Sequence, residues 1–363
     1  ALQIIVQSPA DSHLAVSVSD LVNESSIIPA SAVQIYRVDY VTLTRLSDQS
    51  GRLTDWPDPL YPISQGQEVS FPADENQPLW FRIEVPRDAV AGRYTGEISI
   101  GSATIPFALS VWNFTLPEAS ILPFTAGLDL DALLEAYGGT DQGVIQPCYD
   151  DLVEAISDTL DIYHITALPP ETEPSPGRIY TLTNYAQEEA HRAQSEDDET
   201  IWWSFNSLDL PPFANPAIID RTGQDARILP WMAWVDQIDG LFYHQLTDWD
   251  VNPWETPFSN SLANGDGFLF YPPNDATVGY DPCDPESNRL IPSIRLELLR
   301  EGLEDYAYLR LLSGNGSDLI ADEMVSSRTL YHHIPTEFTE VSFELASQII
   351  ANQKDFFIPL FID

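Results

Sequence analysis

An antiparallel β-sandwich followed by an α/β domain is the fold that the sequence predicts, and three observations predict it. Up to about residue 118, short runs alternate apolar and polar residues, the period of strands with one buried face. From about residue 119, strand-like runs alternate with helix-like ones, as in α/β architecture. Near the end, SIRLELLREGLEDYAYLRLL (Ser293 to Leu312) repeats Leu296, Leu299, Leu303, Tyr306 and Ala307 at three- and four-residue steps, one buried helix face. The expected domains are therefore 1–118 and 119–363.

The strands of the first domain follow from period two. Leu2, Ile4 and Val6 alternate, then Leu14, Val16 and Val18, then Val33 and Ile35. Leu79, Phe81, Ile83 and Val85 follow, and last Ile105, Phe107, Leu109 and Val111. Clusters of Pro, Gly, Asp and Asn separate these runs, and Gly92 can close the turn that starts at Pro86.

In the second domain, strands are expected at Leu122 to Gly127, Ile162 to Leu168, Arg178 to Thr183, Ile201 to Phe205, Leu241 to Leu246 and Phe268 to Tyr271. That makes about six strands. Helices are expected at Asp150 to Leu160, Tyr185 to Glu196, Ile228 to Val235 and Ser293 to Leu312, with a closing helix through Val341, Leu345 and Ile349. Ser293 is a natural N-cap, Arg300 can pair with Glu297 and Glu304, and Gly302 in mid-helix predicts close packing against a neighbour.

Composition narrows the partners. Fifty-six acidic against 16 basic residues give a formal net charge of -40, which repels nucleic acid and anionic lipid. Lys354 is the only lysine. No apolar run of about 18 residues is present, so no membrane insertion is expected. An acidic, lysine-poor surface suits a saline or an extracellular setting, and a first residue, Ala1, that fits a mature form makes a secreted, extracellular protein the expectation. Cys148 and Cys283 either form one disulfide or stay separate buried thiols. Asn23, Asn113 and Asn315 head N-x-S/T triplets and are candidate glycosylation sites.

The helix SIRLELLREGLEDYAYL, with Asn264-Gly265-Asp266-Gly267 and Tyr271-Pro272 before it, resembles the closing signature of a glycoside-hydrolase-like family of unknown function. LWFRIEVPRDAVAGRYTGEISI resembles paired strands of that family's N-terminal β-sandwich. Trp202-Trp203-Ser204, the segment from Asp220 through Arg227 to Trp231, and Asp239-Gly240-Leu241-Phe242-Tyr243 with Trp249 resemble pieces of its C-terminal (β/α)8 barrel. The resemblance implies a TIM-barrel-like second domain and hydrolysis of an O-glycosidic bond by paired carboxylates. The family's strand ending in Asp-Glu-Pro has no counterpart here, and the middle of the barrel is missing. The chain is thus expected to be an extracellular carbohydrate-active protein, with its catalytic centre intact or degenerate. The alternative is a non-catalytic carbohydrate-binding or structural filament subunit that self-associates.

Glycosidases use carboxylates at the C-terminal ends of barrel strands, which makes Asp248, Asp250 and Asp266 the catalytic candidates. Each can equally be an ordinary loop acid. Six of the nine tryptophans fall between residues 200 and 255, and a flat indole suits the C–H face of a sugar. Trp203 and Trp249, at strand ends, are candidates to line an oligosaccharide groove, with Tyr243 and Asn206 as further substrate-binding candidates. No cofactor is expected. Asp248-Trp249-Asp250-Val251-Asn252 starts like a calcium loop; Pro253 stands where an EF-hand needs glycine, which leaves a calcium site of another kind as the alternative.

Overall fold

The computed structural model describes residues 1–117, 121–138, 146–169, 172, 174, 177–187, 200–258, 263–273, 283 and 290–355. The chain divides into two compact units. The first includes Ala1–Asp39 and Leu60–Thr115, and the second includes Tyr40–Pro59 and Leu116–Ile349.

The strands up to residue 111 are β1 (Leu2–Gln7), β2 (Ser12–Val18), β3 (Leu21–Val22), β4 (Ile27–Ile28), β5 (Val33–Thr42), β6 (Asp55–Ile63), β7 (Gln67–Phe71), β8 (Asn76–Ile83), β9 (Gly92–Ile100) and β10 (Ala103–Val111). They build one sheet in the order β1-β8-β5-β6 and a second in the order β4-β3-β9-β2-β7, with β10 added on β9. Strand β8 runs antiparallel to β1 and β5, and β9 antiparallel to β2, β3 and β10. The alternation read from the sequence has its expected effect: Leu79 and Phe81 of one sheet share a core with Val16, Phe71, Tyr94 and Ile98 of the other.

In the second unit, β11 (Phe124–Gly127), α1 (Leu130–Gly138), α2 (Tyr149–Ile162), β12 (Ile165–Leu168), β13 (Gly177–Thr181), α3 (Leu182–Gln187), β14 (Thr200–Ser204), α4 (Gln224–Val235) and β15 (Gly240–Tyr243) follow one another. The five strands form a parallel sheet in the order β12-β11-β15-β14-β13. Two strands consecutive in the chain, β12 and β13, therefore stand at opposite edges. The helix expected to Glu196 is described only as far as Gln187. The proline-rich stretch 169–177 lies largely outside the described residues.

The sixth expected strand is a correction. Strand β16 (Phe270–Tyr271) pairs antiparallel with β17 (Ile291–Pro292), outside the parallel sheet. The cause is local: Gly265 and Gly267 take positive φ (95° and 96°), and the turned chain sends the N–H groups of Leu269 and Phe270 to the carbonyl of Leu246. After β17 come α5 (Ile294–Leu312), α6 (Ser317–Met324), β18 (Val325–Ser327), β19 (Leu330–Tyr331) and α7 (Pro335–Asp355).

Helix α5 starts where the sequence places it. Ser293 Oγ accepts the N–H of Leu296 at 3.2 Å. The helix is buried on more than its apolar stripe, because Arg295, Glu297, Arg300 and Asp305 are buried as well. At Gly302, a Cβ would stand 2.4 Å from the carbonyl oxygen of Arg227 in α4. Gly302→Ala should therefore destabilise by about 1–3 kcal/mol, overpacking outweighing a helix-propensity gain of about 1 kcal/mol. Urea unfolding checks this, and an unchanged or higher midpoint would contradict the close contact. Cys148 and Cys283, whose pairing the sequence left open, are joined as a disulfide with Cα atoms 5.4 Å apart.

Candidate functional site

The residues of the closing signature form a buried polar framework. Arg295 is 4% exposed. Its Nε and Nη2 donate to Asp58 (3.1 Å each), and Nη1 donates to the carbonyls of Ala217 (2.7 Å) and Gly265 (3.2 Å). Nη2 also reaches the carbonyl of Phe268. Tyr271 donates its hydroxyl to the same Asp58 at 2.6 Å, and burial, then the Asp58 charge, push that phenol well above its ordinary pKa. Asn264 donates from Nδ2 to the carbonyl of Arg45 (2.9 Å) and to Asp220 (3.2 Å). Further along α5, Glu297 accepts from Tyr163 (2.7 Å) and Arg300 (3.1 Å), while Asp305 accepts from Arg227 (2.8 Å) and the Trp231 indole (3.1 Å). A glycine at 265 is required because a side chain would meet the Ala217 carbonyl and the Arg295 guanidinium. The signature thus records a scaffold, in which every donor named here has an internal acceptor.

That scaffold fixes the ends of the parallel strands. Leu246, just past β15, donates its N–H to the carbonyl of Gly127 at the end of β11 (2.9 Å), and Asp248 donates its N–H to the carbonyl of Gly267 (2.9 Å). Tyr243, the last residue of β15, donates its hydroxyl to Asp266 (3.2 Å) and accepts the N–H of Gly267 (2.7 Å). Its ring stacks on Phe205, with centroids 4.6 Å apart. Asp266 also accepts the N–H of Ser207 (2.7 Å). The structure therefore brings Tyr243, Asp266 and the segment after β14 together.

Other candidates lie elsewhere. Trp203 is a correction: it is fully buried, packs edge-on against Tyr185 (5.3 Å) and presents no face to a ligand. Its register explains this, since it lies between Tyr180 and Leu241 within the sheet. Tyr243 is likewise fully buried, and Asp266 is 1% exposed with both oxygens accepting hydrogen bonds, so both hold the loop from inside. Asn206 spends its Oδ1 on the N–H of Leu208 (2.8 Å). Trp249 is half-buried and anchored by its indole N–H to the carbonyl of Phe270 (2.9 Å). Asp248 is half-buried and Asp250 exposed. Trp254, one short loop on, donates to the carbonyl of Pro272 and tilts over Tyr271, with ring centroids 5.0 Å apart.

Sequence reasoning missed Asp58 and Ser47. Ser47 comes from the segment between β5 and β6 and Asp58 from β6 itself, each more than 170 positions from its partners and carrying no local motif. Among the described residues, no group of three or more His, Cys, Asp or Glu side chains is placed to hold a metal ion.

Comparison with known proteins agrees with this framework. Residues 1–102 match the model of the glycoside hydrolase 123 N-terminal domain, and residues 175–312 that of the glycoside hydrolase 123 catalytic domain. The chain belongs to a glycoside-hydrolase-like family. The catalytic-domain match opens at β13 and closes with α5, so it contains Trp249, Asp248, Asp250 and most of the framework around Arg295. A family 123 glycoside hydrolase from Clostridium perfringens, solved to detail glycolipid glycan hydrolysis, is similar over 98% of this chain and 91% of its own. The TM-score is 0.67 at 12% sequence identity, a likeness of fold. No curated protein sequence matches. Among the described residues, no helix is long and apolar enough to cross a membrane.

Proposed function

We propose that this protein is an extracellular, glycan-recognising member of its family, a β-sandwich joined to a shortened barrel, in which hydrolysis by the family's Asp-Glu pair has been lost. The order of the parallel sheet carries this reading. Strands β12 and β13 follow one another in the chain yet occupy opposite edges. The eight residues 169–176 between them are too few for a strand–helix unit, which needs a crossover of about 10–12 residues. In a complete barrel, the middle strands would fill that interval and bring the paired acids with them. The disulfide and the exposed Asn113 and Asn315 of two glycosylation triplets support an extracellular setting.

The glycan is read at the end of β15. Trp249 offers part of its ring there, and Asp248 and Asp250 can accept sugar hydroxyls. Calorimetric titration with neutral oligosaccharides, including glycolipid glycans, should show binding, and aryl glycosides should stay intact over hours. Trp249→Ala should weaken that binding about tenfold while the melting temperature stays within a few degrees. Turnover that Asp248→Asn or Asp250→Asn abolishes would restore a working hydrolase and overturn the proposal.

A further inference from the structure

We propose that a second saccharide site lies away from the end of β15, in the cleft between Trp56, Phe213 and Tyr331, where Asp225 and His333 meet the hydroxyls of a neutral sugar. The choice of ligand class rests on the glycan reading above. The location rests on separate observations.

The cleft holds about 550 Å³, within the range of small-molecule sites. Trp56 is half-buried, and its indole N–H donates to the carbonyl of Arg52 at 2.8 Å, which fixes the ring's orientation. A held, partly exposed indole is the stacking surface that a pyranose needs. Asp225, in the first turn of α4, is 3% exposed and borders the cleft. It accepts from the N–H of Asn215 (3.2 Å) and from the hydroxyl of Tyr331 (3.2 Å). His333 Nδ1 stands 3.9 Å from the same carboxylate, too far for a direct hydrogen bond and close enough for one hydroxyl to bridge both. The His333 ring leans on Tyr331, with centroids 4.4 Å apart.

Charge selects a neutral occupant. Arg221 is already paired with Asp48 at 2.9 Å and donates to the carbonyl of Phe213. Asp220 is held by the N–H of Ser47 (2.9 Å) and by Asn264. An anion would face the Asp225 carboxylate, and a cation would face the rim residue Arg52. Asp220, the other carboxylate lining the cleft, is thus committed to the framework and not to a nucleophile's or base's role, so the site binds and does not hydrolyse.

Burial lifts the Asp225 carboxyl to about 6, against the backbone hydrogen bond and the Arg221 charge that lower it; Tyr331 also lowers it and Asp48 raises it. Burial, then the neighbouring His332, depress His333 below the ordinary imidazole range. A sugar hydroxyl donated to Asp225 favours the ionised form, so affinity should rise as pH climbs through about 6.

The test is calorimetric titration of the whole chain with neutral oligosaccharides at about pH 5 and about pH 7, using wild type, Trp56→Ala, Asp225→Asn and Trp249→Ala. Two classes of site are expected. Trp56→Ala and Asp225→Asn should each weaken one class about tenfold, Asp225→Asn should remove its pH dependence, and Trp249→Ala should weaken the other. The Trp56 indole bonds within its own loop, so that variant keeps the test valid if Asp225→Asn unfolds. Binding untouched by Trp56→Ala and Asp225→Asn would remove the cleft site and leave the glycan reading standing. No binding of any saccharide by the wild type would take down both.

Discussion

Arg295→Met should destabilise the second unit by about 3–5 kcal/mol, because it leaves Asp58 buried and ionised without its cation. The side chains of Arg295 and Asp58 are 5% and 2% exposed, so water cannot replace the lost partner. Five backbone and side-chain acceptors lose a donor at once: Asp58 and the carbonyls of Pro216, Ala217, Gly265 and Phe268. The double variant Arg295→Met with Asp58→Leu should recover much of the loss, since an apolar pair of similar volume replaces both charges. Urea unfolding of the single and double variants tests this. Equal loss in both would mean that packing, not the unpaired charge, dominates at this position.

The second large effect belongs to the disulfide. Cys148 and Cys283 are 135 positions apart, and closing a loop of that length removes enough unfolded-state entropy to contribute about 5 kcal/mol in the chain-entropy model. The variant Cys148→Ser with Cys283→Ser should accordingly melt many degrees lower than wild type, and dithiothreitol should lower wild type to the same point. Intact mass without reductant should lie two protons below the reduced value. Two alkylatable thiols in the native protein would contradict the bond.

The legible features of the sequence were those with a period or a local signature. Val16, Leu79 and Phe81 announced the first core because a strand exposes alternate residues to one face. Ser293, Gly302 and the Glu297–Arg300–Glu304 series announced helix α5, its cap and its close neighbour, because these interactions span one turn. Exposure at strand ends was not legible. Trp203 and Trp249 look alike in sequence, yet one fills the interior and the other stays half-open, which depends on sheet register. Nor could the sequence show that the familiar signature is structural. Arg295 needs Asp58, 237 positions away, to reveal that its charge is spent internally. The strand expected at Phe268 failed for a related reason: two glycines with positive φ turned the chain out of the parallel sheet.

Among the described residues, strands β12 and β13 each have one neighbour in the sheet, β11 and β14. Joining them is therefore unlike joining any other consecutive pair within the parallel sheet. New strand–helix units inserted between bonded neighbours would have to break an existing ladder. Between Leu168 and Gly177, a unit could be added to or removed from either edge while β11, β14 and β15 keep every partner they have. The interval is a seam along which the domain can be lengthened or cut, and the framework around Arg295, built wholly from segments outside it, would be inherited unchanged.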